Sequence, residues 1–271
     1  MDSEKGIKMN YYPLISIITV VKNGKEHLEQ AIQSVLGQTY TNIEYIIIDG
    51  MSTDGSLDII KKYEKHLAYW ISEPDNGIYH AMNKGIKHAT GDYVGILNCD
   101  DYYEPDALEA IAGELQKDVM PDVLFGDLYM INPNLTEKKL QTYKKGQKLY
   151  NSFSIWHPTV FVKKECYKKW GMFDESLRIA ADYELLLRFK KNGASFTYIN
   201  KALASFREGG TSYYNKKIKK EQFRIHKMHT SCFNAYLNFL LSTFTEILQK
   251  IFIKILGEKR YHHLRYKYLY H

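Results

Sequence analysis

The 271 residues are 45% hydrophobic and 25% charged, ordinary for a folded globular protein, which excludes a wholly disordered chain, a collagen and a low-complexity fibre. Three cysteines, Cys99, Cys166 and Cys232, form no CxxC pair, so neither a zinc knuckle nor a disulfide scaffold is expected, and a reducing compartment suits them. The net charge of +6 is unevenly placed: Thr211 to His271 carries 12 Lys/Arg against 3 Asp/Glu, whereas residues 1–210 carry 25 against 28.

The first half alternates two periodicities. Ile15–Val21 (ISIITVV) is a continuous β-branched run, the pattern of a strand buried on both faces. Lys25–Leu36 then places Leu28, Ala31, Ile32, Val35 and Leu36 at helical spacing. Ile43–Asp49 reads as a second buried strand, Ser56–Tyr63 as a helix after an STDG turn, and Tyr69–Ser72 as a short strand. A helix over 77–89, a strand over 92–98 and a helix over 105–115 with proline in its first turn follow. This repetition predicts an α/β fold with a mainly parallel central sheet. Beyond Pro121 the pattern is mixed, with strands expected at Val123–Ile131 and 196–206 and helices at 163–170 and 182–191. A domain of residues 1–212 and a basic tail of 213–271 is the expected division.

Ligands of an open parallel sheet bind at the carboxyl ends of its strands. The loops that follow the four strands are Lys22-Asn23-Gly24, Asp49 to Gly55, Glu73 to Gly77, and Asn98-Cys99-Asp100-Asp101. Three of the four carry carboxylates, which cap helices when alone but gather on one edge here. Neither GxGxxG nor a Walker motif is present, so phosphates must be neutralised another way. Carboxylates holding a hard divalent cation would do so, and the turn after the fourth strand is the candidate.

With ISIITVVKNG, IIIDGMSTDGS, EPDNGIYHAMNKGI and ILNCDDYYEP in order, followed by WHPTVFVKKECYKKWGMFDESLRIAADYELLLRF, the chain resembles a family 2 glycosyltransferase of the GT-A fold, a Rossmann-like fold for nucleotide-diphospho-sugars. The likeness runs from about Pro13 to Ser212 and is nearest in character to bacterial enzymes of surface polysaccharides such as capsules and O-antigens. It implies inverting, metal-dependent transfer of a sugar from a nucleoside diphosphate donor, a UDP-sugar foremost, to a glycan or lipid-linked glycan. On the donor side it implies that Asp49 contacts the nucleobase, that backbone near Thr19, Val21 and Asn23 lines its pocket, and that Asp75, Asn83 and Lys84 lie at the nucleoside. Asn98 stands where the family's DxD motif has its first aspartate, leaving Asp100 as the metal ligand for Mn²⁺ or Mg²⁺, with Asp101 beside it. Cys99 points to the other side of the strand and reads as core.

The resemblance places the general base on Asp182, which removes the acceptor hydroxyl's proton while that oxygen attacks the anomeric carbon. Asp182 also stands at the expected N-cap of the 182–191 helix. Glu184 would face away on that helix, Asp174 would fix a turn and Arg188 would pair within the body. His157 is a candidate for acceptor or diphosphate binding, with a structural histidine as the alternative. Arg207, before Glu208-Gly209-Gly210-Thr211-Ser212, would bring charge to the leaving diphosphate.

In the tail, Phe233, Leu237, Leu240, Leu241, Phe244, Ile247, Leu248, Ile251, Phe252 and Ile255 form a wide helical stripe between basic clusters, 216–220 before it and Lys259, Arg260, Arg265 and Lys267 after it. That combination suits an anionic membrane surface; packing on the body or a second subunit, giving a homo-oligomer, is the alternative. The acidic body argues against nucleic acid. No apolar run reaches ~18 residues and no secretory core precedes the first strand, so the expected location is cytoplasmic, peripheral on the inner face of the cell membrane. The rival from another class is a non-catalytic binding or scaffold protein of a polysaccharide assembly complex, to which Asn98 lends footing. A nucleotidyltransferase is disfavoured by the absence of a Gly-rich first loop.

Overall fold

The computed structural model describes residues 12–117, 119–131, 138–143, 155–208 and 218–231 and scattered positions of 235–255. By its internal contacts the chain forms two units, Met1–Asn215 and Lys216–His271.

In the first unit the elements run β1 (Ile15–Val21), α1 (Lys25–Leu36), β2 (Ile43–Asp49), α2 (Ser56–Tyr63), β3 (Tyr69–Ser72), α3 (Ile78–His88), β4 (Tyr93–Asn98), β5 (Tyr102–Tyr103), α4 (Ala107–Leu115), β6 (Val123–Ile131), β7 (Lys138–Gln141), β8 (Phe161–Lys163), α5 (Lys164–Trp170), α6 (Ala181–Lys191) and β9 (Phe196–Arg207). The expected elements are present with ends moved by one or two residues. Gly77 caps α3 at φ 122, a conformation open to glycine, and Pro105 precedes the helix instead of opening it. Strands β5 and β7 carry too few residues to show a period.

The sheet order is β3-β2-β1-β4-β8-β6-β9-β5, with β7 on β6. Strands β1 to β4 are parallel; β8 runs antiparallel between β4 and β6, and β6 pairs parallel with β9. Every residue of β1 is buried, because the strand is paired on both edges and covered on both faces. The chain steps outward from β1 through β2 to β3, then returns to β4 on the other side of β1. That reversal makes the carboxyl ends of β1 and β4 the switch point of the sheet, where the loop after Val21 packs against the turn after Asn98.

The second unit begins with α7 (Ile218–His229). The ring of Phe223 lies 5.0 Å from that of Tyr236, and every described residue from Ala235 to Ile255 is helical. Leu237, Leu240, Phe244, Ile251 and Ile255 are exposed. The rest of the stripe except Leu248, the basic clusters apart from Lys219 and Lys220, residues 209–212 and Cys232 lie outside the described residues. Among the described residues no helix is long and apolar enough to cross a membrane.

Candidate active site

Backbone and side chains knit the loops at the sheet's carboxyl edge. Asn23, at φ 54, receives Thr53 N–H on its Oδ1 (2.8 Å) and donates its own N–H to Ser52 Oγ (2.8 Å). Gly50 N–H reaches the Val21 carbonyl at 2.8 Å. Asp49 is fully buried at the end of β2; it accepts from Ser52 N–H at 3.0 Å, from the Ser52 hydroxyl, and from the Ser72 hydroxyl at 2.6 Å. It therefore organises both loops beside it. Thr19 lies further inside the sheet, fully buried and bonded to the Tyr45 hydroxyl at 2.9 Å, and presents no surface to a ligand.

Asp75 receives Gly77 N–H at 2.9 Å and sits so close to Gly50 that a Cβ there would collide with its carboxylate. Lys84 Nζ pairs with Glu73 at 2.7 Å and donates to the Pro74 carbonyl at 2.8 Å, bracing this loop from α3. Asn83 has a different role from the nucleoside contact expected of it. It is buried; its Nδ2 donates to Phe173 O (3.0 Å) and Glu175 Oε1 (2.8 Å), and its Oδ1 accepts Phe173 N–H (3.0 Å). Its amide joins α3 to the loop before α6.

The turn after β4 closes through Asp101 N–H to the Asn98 carbonyl at 3.1 Å. Asp101 is fully buried, and its Oδ1 accepts Arg207 N–H at 3.1 Å. Burial, with the Asp100 charge adding to it, raises its pKa well above the usual carboxylate range. Asn98 Oδ1 and Asp101 Oδ2 are buried and receive no hydrogen bond. Two unclaimed oxygens beside Asp100 fit a hard divalent cation. Among the described residues no three His, Cys, Asp or Glu side chains cluster as a metal site. Cys99 packs on the core, and burial pushes its thiol up to about 12, as suits a core residue. The Arg207 guanidinium donates to the Asp100 carbonyl and to Gln30 and lies 5.3 Å from the Tyr102 ring centroid, so its charge is anchored at this turn.

Asp182 is the second residue of α6, two positions past the N-cap, which is Ala180 and not Asp182 as expected. Its Oδ1 accepts Tyr183 N–H at 2.9 Å and the Tyr79 hydroxyl at 3.3 Å. Tyr79 belongs to α3, so the fold brings Asp182 to the start of the helix that follows the Glu73–Gly77 loop. The Tyr79 ring stacks on Phe173 at 5.4 Å, and His157 meets Phe173 edge-on at 5.9 Å. Desolvation lowers the His157 pKa to about 4, so the imidazole is neutral and suits a hydroxyl partner better than a diphosphate. Glu184 turns inward to Arg188 (3.0 Å), whose guanidinium also gathers the carbonyls of Trp170, Gly171 and Met172. Asp174 caps its own turn through Ser176. Sequence reasoning missed Tyr79; its signal was an aromatic residue in the first turn of the helix that follows an acidic loop.

The sequence profile of glycosyl transferase family 2 matches residues 16–176, more than half of the chain. An uncharacterized glycosyltransferase of Rickettsia typhi is 34% identical over 200 residues, 68% of this chain and 61% of that protein. The chain thus spans about three fifths of that relative's length. A PGL/p-HBAD biosynthesis glycosyltransferase of Mycobacterium tuberculosis is 30% identical over 224 residues, 80% of this chain and 86% of the relative. Among solved structures, Staphylococcus aureus TarS 1-349 in complex with UDP-GlcNAc superposes with a TM-score of 0.67 at 20% identity, over 79% of this chain and 64% of that one. The mannosyltransferase PcManGT of Pyrobaculum calidifontis, with GDP-Man and Mn²⁺, gives 0.59 at 16% identity, over 84% and 70%. The fold is that of the GT-A transferases.

Proposed function

Since the chain belongs to glycosyl transferase family 2, we propose that it is an inverting glycosyltransferase that moves one sugar from a nucleoside diphosphate donor, a UDP-sugar foremost, to a hydroxyl of a glycan or lipid-linked glycan in bacterial surface polysaccharide synthesis. The observation that carries this reading is the contact of Asp182 with Tyr79, at the start of the helix that follows the Glu73–Gly77 loop. The donors bound by TarS and PcManGT support the substrate class.

Asp182 takes the proton from the acceptor hydroxyl as its oxygen attacks the anomeric carbon from the face opposite the leaving group. His157, neutral, accepts or donates a hydrogen bond to the acceptor. Asp75 holds the nucleoside, buried Asp49 fixes the two loops beside it, and Asn23, Val21 and Lys84 shape that end. Asp100, with Asn98 and Asp101, would hold Mn²⁺ or Mg²⁺, which neutralises diphosphate charge when bound. Arg207 adds positive charge on the same side.

The exposed apolar positions of the tail, with the basic excess around them, support attachment to an anionic membrane surface on the cytoplasmic side, where a lipid-linked acceptor would be presented.

Titration of the purified protein with UDP, dTDP, GDP and CMP, each with and without Mn²⁺, tests the donor reading by calorimetry. Metal-dependent binding of one of them is expected, and Asp100→Ala should abolish the metal dependence. Asp182→Asn should bind nucleotide normally and transfer at least ~100-fold more slowly. Binding of no nucleotide would favour the scaffold role, and wild-type transfer by Asp182→Asn would remove that residue as base.

A further inference from the structure

We propose that Tyr79 is the positioning residue of the reaction: from α3, its hydroxyl orients the Asp182 carboxylate. This rests on the reading of Asp182 as the base.

Tyr79 is 6% exposed in the first turn of α3, and its hydroxyl donates to Asp182 Oδ1 at 3.3 Å. The contact joins the start of α3 to the start of α6. The ring is fixed by its stack on Phe173, and Phe173 is fixed in turn by Asn83, which binds both its N–H and its carbonyl from the next turn of α3. Gly77 precedes this turn, and the Arg178 guanidinium donates to the Asn76 carbonyl there. The donor-side loop, Tyr79 and Asp182 therefore form one connected unit across a sequence gap of 103 residues.

A general base must be charged and aimed. A neutral donor on one carboxylate oxygen favours the charged form and limits rotation of the group. Burial and the Asp182 charge raise the Tyr79 pKa well above its ordinary value, so the hydroxyl remains a donor throughout the working pH range. Glu175, His80 and Arg178 line a cleft beside Tyr79 at the start of α3, and neutral His157 lies beyond Phe173. Loss of the hydroxyl raises the pKa of the base, so the acid limb of the rate profile moves to higher pH.

Tyr79→Phe keeps the ring and its stack. Transfer is read as nucleoside diphosphate released from whichever of UDP-glucose, UDP-galactose, UDP-GlcNAc and GDP-mannose the wild type turns over. The expected result is a kcat lower by about 10-fold, an acid limb moved to higher pH, and unchanged nucleotide affinity and melting temperature. The double variant with Asp182→Asn should be no slower than Asp182→Asn alone. Wild-type kcat and pH profile in Tyr79→Phe, with Asp182→Asn inactive, would overturn the positioning role and leave the base intact. Additive losses in the double variant would also overturn it. Wild-type transfer by Asp182→Asn would fell the base reading and this proposal with it.

Discussion

His157 shows how a single side chain reports its surroundings. Its imidazole, against Phe173, is lowered to a pKa of about 4 from an ordinary 6.5 because desolvation disfavours the cation. Unfolded chains bind that proton between these values and folded ones do not, so stability is complete above pH ~6.5 and is lost as pH falls toward 4. A melting temperature followed from pH 7 to 4 should fall, and His157→Gln should flatten that part of the curve. A curve identical to wild type would show that His157 is solvated. Asp49 and Thr19 carry the same lesson in polar form: both are wholly buried, yet Asp49 ends a strand where it gathers two loops, while Thr19 is enclosed within the sheet.

Between elements, the decisive joint is the one from α3 to the loop before α6. Asn83 makes three hydrogen bonds there, and Asn83→Ala would leave the Phe173 N–H and carbonyl without partners in a buried place. The expected cost is about 2–4 kcal/mol, visible as a lower denaturation midpoint. Activity should fall further than stability explains, because Phe173 carries the stack that holds Tyr79. Unchanged stability would mean that water replaces the amide. The same joint explains why Asn83 and Lys84 looked alike in sequence and differ in the fold. Adjacent helical residues point about 100° apart, so one faces the Phe173 loop and the other the Glu73 loop.

For the whole molecule, the charge divides between an acidic body and a basic tail, and the proposed attachment to an anionic membrane belongs to the tail. Leu240 and Phe244 are exposed on the tail helix, so Leu240→Glu/Phe244→Glu should reduce sedimentation of the full chain with anionic vesicles by ~10-fold or more, with transfer to a soluble acceptor retained. Equal sedimentation would point to packing or self-association as the use of that stripe; removal of residues after Ser212 should give the same release.

Several determinants of this protein are readable from the chain alone. Strand and helix order, the carboxylate loops after β2, β3 and β4, and family membership all lie in short segments, because hydrophobic period and motif spacing are local properties. Other features were decided by tertiary structure. Strand β8 enters between β4 and β6 against the parallel run, two-residue β5 exists only through its pairing with β9, and Tyr79 reaches Asp182 across the fold. The reason is that a partner distant in sequence leaves no period to read: its position is set by which faces must be covered and which buried polar groups must find each other.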